Sequence, residues 1–451
     1  MRRFLVLFLC GLLLTGCSAL GPLKEAASGI GEYFGASDNA DPPAELKDFE
    51  PAVKMTVLWD VNIGKGYAEQ YVNLVPAVTE DKIFAADRKG EVQARSRLNG
   101  DKLWSVDIEL AVSAGPVAGE GKLILGTSNA EIVALNDGDG SVLWKTNVSS
   151  EILALPRVEG DTVVIRSSDG RITALDENTG GTRWYHDRTI PALSIRSRGS
   201  PTIADDFVLD GYGSGKLIAL NLTDGKPEWE ATIALPHGRS EIERLVDMDS
   251  DPIVKGDTIY VTGYQGGVAA VSLKDGDVLW RQAELSSYTG MAAARRSLFV
   301  TDASSDVWQL DVRNGADLWK QDELHFRRLT APALVKDYVV VGDFEGYLHL
   351  LSQEDGSLVG RVRVDKSPIA ATPVVFDDVI YVYTSGGTLA AIAVEGSSGN
   401  SPDDRLRLEG ASGRSPDDRL RLEGASGRSP DDRLRLEGAS GRSPDDRLRL
   451  E

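Results

Sequence analysis

One cysteine near the start of the chain has the sequence context for covalent lipid attachment. After a short basic start, Phe4 to Leu14 form an apolar run, too short for a permanent membrane span, that ends in Leu14-Thr15-Gly16-Cys17. A thiol can take a diacylglyceryl thioether, and the small residues before it admit a signal peptidase. We predict a signal peptide over residues 1–16 and a lipidated Cys17, anchored through several acyl chains. The alternative is an ordinary secretory signal with a chance cysteine.

The rest of the chain has few residue patterns that suit catalysis. The second cysteine, Cys10, falls inside the predicted signal peptide. Four histidines are spread along the chain without metal-ligand spacing: His186, His237, His325 and His349. Neither a G-x-S-x-G elbow nor a phosphate loop followed by a helix is present in the sequence. The sequence therefore predicts no enzymatic activity, no cofactor and no metal site.

The composition narrows the class of protein further. The 451 residues include 49 basic and 69 acidic side chains, which gives a formal net charge of −20. This balance argues against nucleic-acid binding, because that function needs a basic surface. A hydrophobic fraction of 41% is enough to bury a large core. We expect a folded, acidic protein.

The chain repeats one unit from Pro76 onward. Five proline–tryptophan pairs share a spacing of 28 residues: Pro76–Trp104, Pro116–Trp144, Pro156–Trp184, Pro201–Trp229 and Pro252–Trp280. Met291–Trp319 and Pro332–Gly360 keep that spacing, and a glycine lies four residues before each end point. Within a unit, β-branched and alternating runs such as 161–165 and 171–175 are separated by glycine turns. The pattern predicts an all-β protein, an eight-bladed β-propeller of four-stranded antiparallel blades.

The eighth unit begins at Pro373 and stops before any tryptophan. The missing strand is present at the other end of the fold, in the run from Met55 to Trp59. Its addition to the eighth blade would close the ring and remove the open sheet edge. We therefore predict a flexible tether over 17–52 and a propeller over 53–396. The indoles are expected to pack between neighbouring blades, with each N–H bound to the backbone.

The tryptophan-terminated repeat, as in the run from Ala174 to Trp184, resembles the eight-bladed propellers of the quinoprotein dehydrogenases. That resemblance implies the fold. It also implies an alternative function, a periplasmic dehydrogenase that depends on pyrroloquinoline quinone. The mature chain lacks the adjacent-cysteine disulfide common in that family, and no defensible calcium ligand set is found. The fold is therefore expected to carry over without the activity.

Combined with the lipobox-like Leu14–Cys17, three further segments resemble the BamB family, the propeller lipoproteins of the outer-membrane β-barrel assembly machinery. They are Leu193-Ser194-Ile195-Arg196 and the runs Glu241–Asp249 and Val340–His349. The resemblance implies a scaffold that binds the periplasmic POTRA domains of the BamA-type barrel insertase and other Bam subunits. It further implies a lipid-anchored outer-membrane location facing the periplasm. Ser18, rather than an aspartate, follows the cysteine, and this residue fits sorting of the lipoprotein to the outer membrane. Direct contact with unfolded outer-membrane proteins is left open.

Repeat spacing indicates two insertions that could carry this function. Successive tryptophans from Trp104 to Trp319 are 40, 40, 45, 51 and 39 residues apart, so the excess precedes Trp229 and Trp280. By resemblance, the partner-binding positions within them are Leu193, Ile195, Arg196, Asp247 and Asp249. Apolar residues beside fixed charges suit a protein surface. Alternatively, Arg196 pairs with Asp247 or Asp249 inside the protein and braces the loops.

The predicted tail, 397–451, differs from everything before it. From Ser401, a fourteen-residue sequence occurs three times without change, and a fourth copy ends at Glu451. Identity of this kind indicates recent duplication at the nucleotide level. Proline, glycine and serine in every copy favour disorder. A tether to peptidoglycan or to a partner is the functional alternative.

Overall fold

The computed structural model describes residues 42–68, 70–188, 198–237, 239–240, 244–248 and 250–395. These residues form eight four-stranded antiparallel blades arranged as a propeller, one of them extended by a short parallel strand, which confirms the predicted fold class. No helix in these ranges is long and apolar enough to cross a membrane. A division of the chain into compact units falls after Val394, and Glu395 is the one residue of the second unit that the structure describes.

The strands follow the order of the repeat. Before the first blade lie β1 (Lys54–Asn62) and β2 (Asn73–Leu74). Blade 1 contains β3 (Ala77–Val78), β4 (Lys82–Ala86), β5 (Glu91–Ser96) and β6 (Lys102–Asp107). Blade 2 contains β7 (Val112–Gly119), β8 (Lys122–Thr127), β9 (Glu131–Asn136) and β10 (Val142–Asn147). Blade 3 contains β11 (Arg157–Glu159), β12 (Thr162–Arg166), β13 (Ile172–Asp176) and β14 (Thr182–His186). Blade 4 contains β15 (Thr202–Ala204), β16 (Phe207–Tyr212), β17 (Lys216–Asn221) and β18 (Pro227–Thr232).

The second half of the ring repeats this arrangement. Blade 5 contains β19 (Ile253–Lys255), β20 (Thr258–Gly263), β21 (Gly267–Ser272) and β22 (Val278–Gln282). Blade 6 contains β23 (Met291–Ala293), β24 (Ser297–Thr301), β25 (Val307–Asp311) and β26 (Asp317–Gln321). Blade 7 contains β27 (Ala333–Val335), β28 (Tyr338–Gly342), β29 (Tyr347–Ser352) and β30 (Leu358–Arg363). Blade 8 contains β31 (Val374–Phe376), β32 (Val379–Tyr383) and β33 (Thr388–Glu395), and its order β1-β33-β32-β31 confirms closure by the N-terminal strand.

The middle strands of each blade are buried on both faces because neighbouring blades pack face to face. In β8, every residue after Lys122 is buried, and in β9 the run Ile132–Leu135 is buried throughout. Strands covered on both sides read as continuous apolar runs rather than as a strict alternation. The interior of the protein is therefore a ring of sandwiched sheets.

A tryptophan on the outer strand of one blade packs against a glycine of the next blade in seven of the interfaces. Each indole Nε1 donates to a backbone carbonyl of that next blade at 2.8–3.1 Å. The pairs are Trp59–Gly100, Trp104–Gly140, Trp144–Gly180, Trp184–Gly225, Trp229–Gly276, Trp280–Gly315 and Trp319–Gly356. These glycines have φ values of 70–77°, and a Cβ on any of them would meet the indole. The predicted packing of the tryptophans is confirmed.

The eighth interface, between blades 7 and 8, uses a different contact. The turn glycine in other blades connects the third and fourth strands, but in blade 8 these strands come from opposite ends of the chain. A tryptophan on blade 7 would therefore have no turn glycine to cover, and Gly360 occupies its position. Val53, just before β1, lies over Gly360, and its N–H donates to the Val359 carbonyl at 2.9 Å. This interface explains the loss of tryptophan from the seventh repeat.

The segment before β1 also contacts blades 6 and 7. The Ala44 N–H donates to the carbonyl of His325 at 2.9 Å, and Arg327 Nη1 donates to the Ala44 carbonyl at 2.9 Å. The guanidinium of Arg361 lies 4.9 Å from the centre of the Phe49 ring. Contacts with the propeller thus begin earlier in the chain than residue 53, the predicted start. The predicted tether up to residue 41 lies outside the described residues.

A buried ionic network holds this segment in place. Arg327 Nη2 lies 2.8 Å from Asp343 Oδ2, and His349 Nε2 lies 2.9 Å from the same oxygen. Asp343 and His349 are both 0% exposed. Burial would raise the pKa of Asp343, but His349 and Arg327 together hold that pKa below its usual value. Asp343 is therefore a carboxylate whose charge Arg327 balances.

Replacement of a turn glycine should weaken the ring more than its backbone conformation alone explains. In Gly140→Ala, a Cβ would lie 2.8 Å from Trp104 Cζ3 at φ +75°. Gly121→Ala is the matched control, because Gly121 has φ +76° with no atom within 4 Å of its Cβ position. We expect the control to lose about 1–2 kcal/mol from the left-handed backbone and Gly140→Ala about 1–3 kcal/mol more from overpacking. Equal urea midpoints for the two variants would contradict the packing argument.

Removal of Arg327 should destabilise the protein and release the N-terminal segment. Arg327→Met leaves the Asp343 carboxylate buried without its guanidinium, a change that costs about 3–5 kcal/mol. We also expect faster amide hydrogen exchange at Ala44, since Arg327 binds its carbonyl. Arg313→Met, which removes an exposed partner of Asp311, should change neither quantity measurably. Unchanged exchange at Ala44 in Arg327→Met would show that the network does not hold the segment.

Candidate functional site

The two predicted insertions are the connections between blades 3 and 4 and between blades 4 and 5. Loop 1 (residues 187–201) joins β14 to β15, and loop 2 (residues 233–252) joins β18 to β19. Connections from a fourth strand to the next first strand lie on the same face of a propeller as the turns between second and third strands. The two insertions are therefore adjacent on one face, the insertion face.

The start of loop 1 is fixed by a buried carboxylate of blade 4. Arg188 Nη1 lies 2.6 Å from Asp210 Oδ2, and the Arg188 guanidinium lies 4.3 Å from the centre of the Tyr212 ring. Arg166 of blade 3 also reaches Asp210, with Nη1 3.4 Å from Oδ1. Asp210 is 0% exposed, so its charge is stabilised by these two arginines.

The end of loop 2 is held between blades 4 and 5. The Asp247 N–H donates to the Tyr264 carbonyl at 3.1 Å in an isolated bridge. The carbonyl of Met248 lies against the Cα of Gly211, where a Cβ would collide with it. Ser250 Oγ donates to the Thr262 carbonyl at 2.5 Å. Because Gly211 lies between Asp210 and Tyr212, both insertions are rooted on the same end of β16.

Only one of the predicted partner-binding residues lies among the described residues. Leu193, Ile195, Arg196 and Asp249 fall outside them, as does the predicted lipidation site Cys17. Asp247 is described, and it is 1% exposed and lines the central cavity. Asp247 was expected to present its charge on an exposed partner-binding surface, and a side chain buried to this degree does not do so. The roles of all six residues remain predictions.

Asp251, which follows these residues in loop 2, connects the two insertions. Its Oδ1 accepts the N–H of Ser200 at 2.6 Å, and its Oδ2 pairs with Arg157 Nη2 at 2.5 Å. Ser200 belongs to loop 1, and Arg157 begins β11 of blade 3. This ion pair and hydrogen bond brace the junction of the two insertions, and the alternative pairing of Arg196 with Asp247 or Asp249 stays a prediction because Arg196 and Asp249 lie outside the described residues.

A central cavity of about 560 Å³ opens between the blades and is bordered by both insertions. Its apolar lining includes Val75, Leu155, Ile253, Ala331 and Val374. Four larger side chains also line its wall, and the sequence repeat does not single out any of them: Tyr71, Arg198, Tyr288 and Arg328. Arg198 Nη1 donates to the Val72 carbonyl at 3.1 Å, and its guanidinium lies 4.2 Å from the centre of the Tyr71 ring.

Tyr71 belongs to a third long connection, which the spacing argument missed. It runs from the end of β1 to the start of β3 and contains β2, which pairs in parallel with β7 of blade 2. A signal is present in the sequence, because Trp59 and Trp104 are 45 residues apart, as are Trp184 and Trp229. The spacing from Trp104 onward does not include this interval.

The histidines have local partners rather than a common centre. His349 binds Asp343, and His325 Nδ1 lies 2.7 Å from Asp306 Oδ1. Across the ranges that the structure covers, no three histidine, cysteine or acidic side chains are grouped so that they could hold a metal ion. The absence of a cofactor stays a prediction.

The fold and its insertions match known proteins over most of the chain. A family model described as "Outer membrane protein assembly factor BamB" matches residues 57–321 and 323–401. The chain belongs to the BamB family. A BamB of Pseudomonas aeruginosa is 50% identical over 363 residues, which cover 80% of this chain and 95% of the relative. A BamB of Legionella pneumophila is 45% identical over 393 residues, which cover 87% and 99% of the two chains.

Among solved structures, the chain resembles both a member of the BamB family and more distant proteins that have the same propeller fold. The crystal structure of BamB from Moraxella catarrhalis matches with a TM-score of 0.69 at 25% identity, over 75% of this chain and all of that one (100%). A quinohemoprotein alcohol dehydrogenase from Comamonas testosteroni matches with a TM-score of 0.62 at 13% identity, over 85% of each chain. Both resemblances expected from the sequence are confirmed, and the dehydrogenases share the fold alone.

Asp210→Asn should loosen the start of loop 1. The substitution removes the charge that Arg166 and Arg188 share in a site closed to solvent. We expect faster amide hydrogen exchange in residues 186–188 and 198–200 and a lower melting temperature. Asp311→Asn, which removes the carboxylate paired with the exposed Arg313 on blade 6, is the control and should leave loop 1 unchanged. Equal exchange in the two variants would show that Asp210 does not fix the loop.

Proposed function

We propose that this protein is a non-enzymatic scaffold of outer-membrane β-barrel assembly. It would bind the periplasmic POTRA domains of a BamA-type insertase and contact other subunits of the same machinery. The observation that carries the proposal is the match to assembly factors over 95% and 99% of their own lengths. Insertions, cavity and blades therefore all correspond to parts of proteins with that named role.

We further propose that Cys17 is lipidated and that the protein is anchored in the outer membrane, facing the periplasm. The support is the Leu14-Thr15-Gly16-Cys17 sequence after an apolar run, together with the outer-membrane role named for the relatives. An anchored propeller would be held near the membrane without crossing it.

The insertion face is the proposed partner surface. Its support is that loops 1 and 2 are rooted together on β16, and these loops contain Leu193, Ile195, Arg196 and Asp249. Apolar side chains next to charges are typical of the centre of a protein interface. Because Asp247 is 1% exposed, its proposed contribution is to hold loop 2 in position through the bridge to Tyr264.

Charge reversal on this face should weaken partner binding without unfolding the protein. Arg196→Glu and Asp249→Arg should each raise the Kd for the purified periplasmic domains of the insertase about tenfold or more, as measured by titration calorimetry. The effect on affinity, rather than on melting temperature, tests the surface.

Two controls make equal charge changes on the opposite face. Arg295→Glu lies in the turn between β23 and β24, and Asp337→Arg lies in the turn between β27 and β28. Both residues are exposed. Normal affinity is expected for both. Normal affinity of Arg196→Glu and Asp249→Arg would refute the site, and the absence of any binding by the unaltered protein would refute the partner.

A further inference from the structure

Two arginines on the wall of the central cavity have no carboxylate partner among the described residues. Arg198 contacts the Val72 carbonyl and the Tyr71 ring, and neither it nor Arg328 forms an ion pair with any residue in the described ranges. Arg157, the third arginine of this cavity, is neutralised by Asp251. The chain as a whole has a net charge of −20, so two guanidiniums without an acidic partner among the described residues give this cavity wall a charge opposite to that of the whole protein.

The backbone presents Arg328 to the cavity. Arg328 has φ +50°, a left-handed conformation that non-glycine side chains seldom adopt. Its neighbours on both sides, Arg327 and Leu329, are buried at 3% and point into the protein. The exposed Arg328 side chain is thereby directed away from them, toward the opening.

Two tyrosines accompany the arginines. Tyr71 is 39% exposed and Tyr288 is 52% exposed, and both line the cavity, so a ligand can reach their rings. Burial on one side raises the pKa of Tyr288, and Arg328 and Arg198 are close enough to oppose that shift. The four side chains therefore form one group, the Arg–Tyr cluster, which contains Tyr71, Arg198, Tyr288 and Arg328.

The acidic residues of the same cavity do not cancel this charge. Asp251 is engaged by Arg157 and the Ser200 N–H. Asp247 is 1% exposed and offers a ligand no accessible carboxylate oxygen, and the two guanidiniums exceed its single charge by one. Tyrosine and arginine are also the side chains that most often dominate the binding energy of protein interfaces.

We propose that the Arg–Tyr cluster binds an acidic, aromatic segment of a partner protein, with its carboxylates on Arg198 and Arg328. A guanidinium binds a carboxylate through two parallel N–H donors. The aromatic side chain would contact Tyr71, Tyr288 and the apolar wall of the cavity. This binding goes beyond the proposed function, because the Arg–Tyr cluster shares no residue with the insertion-loop site (Leu193, Ile195, Arg196 and Asp249), although Arg198 belongs to loop 1.

The test uses the full chain and a synthetic peptide. The probe is Gly-Ser-Glu-Phe-Asp-Phe-Ser-Gly, capped at both ends, and the control probe has Gln and Asn in place of Glu and Asp. Titration calorimetry should detect binding of the acidic peptide only. Arg198→Gln and Arg328→Gln should each weaken it about tenfold, the loss expected for a charged hydrogen-bonded contact. Arg295→Gln removes the same charge on the opposite face and should bind normally.

Several results would overturn the proposal. They are no binding of the acidic peptide, equal binding of the amide peptide, or normal binding by both cavity variants. Free glutamate that binds as tightly as the peptide would indicate a site for small anions instead of a protein segment. Variants are compared only if their melting temperatures match that of the unaltered protein. Loss of insertase binding in Arg196→Glu with normal peptide binding would separate this site from the insertion-loop site.

Discussion

The contact between a tryptophan and the turn glycine of the next blade is the interaction on which the ring depends. It combines three requirements at one point: an indole large enough to span the gap, a backbone carbonyl within reach of its N–H, and a residue without Cβ at positive φ. Trp144, for example, donates to the Glu177 carbonyl and covers Gly180. Seven such contacts fix the distance and angle between blades, and the strand order within each blade follows from short turns.

The eighth interface shows what that constraint implies for the ends of the chain. Closure by β1 brings the N-terminal strand into blade 8, and this removes the turn that a tryptophan on blade 7 would cover. Val53 takes that place above Gly360. The preceding segment then continues along blades 6 and 7, where Arg327 binds the Ala44 carbonyl. The strand that closes the ring therefore also sets the path of the segment that precedes it.

A closed ring leaves the connections between blades free to vary, and the variation is concentrated on the insertion face. Loops 1 and 2 start from different blade junctions but are both fixed on the end of β16, by Arg188 at Asp210 and by Met248 at Gly211. A rigid root with a longer loop beyond it suits a scaffold, because the partner meets a surface whose position is set by the core. The cavity lies inside the same ring, and its wall is formed by residues of several blades and of the connections between them.

The repeat alone predicts the number of blades, the strand that closes the ring and the location of the two insertions. This is possible because each depends on local periodicity, such as the spacing of Trp104 and Trp144. The contacts of Ala44 and the burial of Asp247 cannot be predicted in this way. Ala44 lies 283 residues from Arg327, and no pattern along the chain relates the two.

The sequence by itself therefore determined the fold class, the number of blades and the family, since these are encoded in residue types at fixed intervals. Only the tertiary structure decided which side chains meet across the ring. Asn73 and Arg198 come together across 125 residues, and Tyr71 and Tyr288 line the same cavity from connections far apart in the chain. The physical reason is that a propeller brings the first strand of every blade to one axis, so residues distant in sequence become neighbours there.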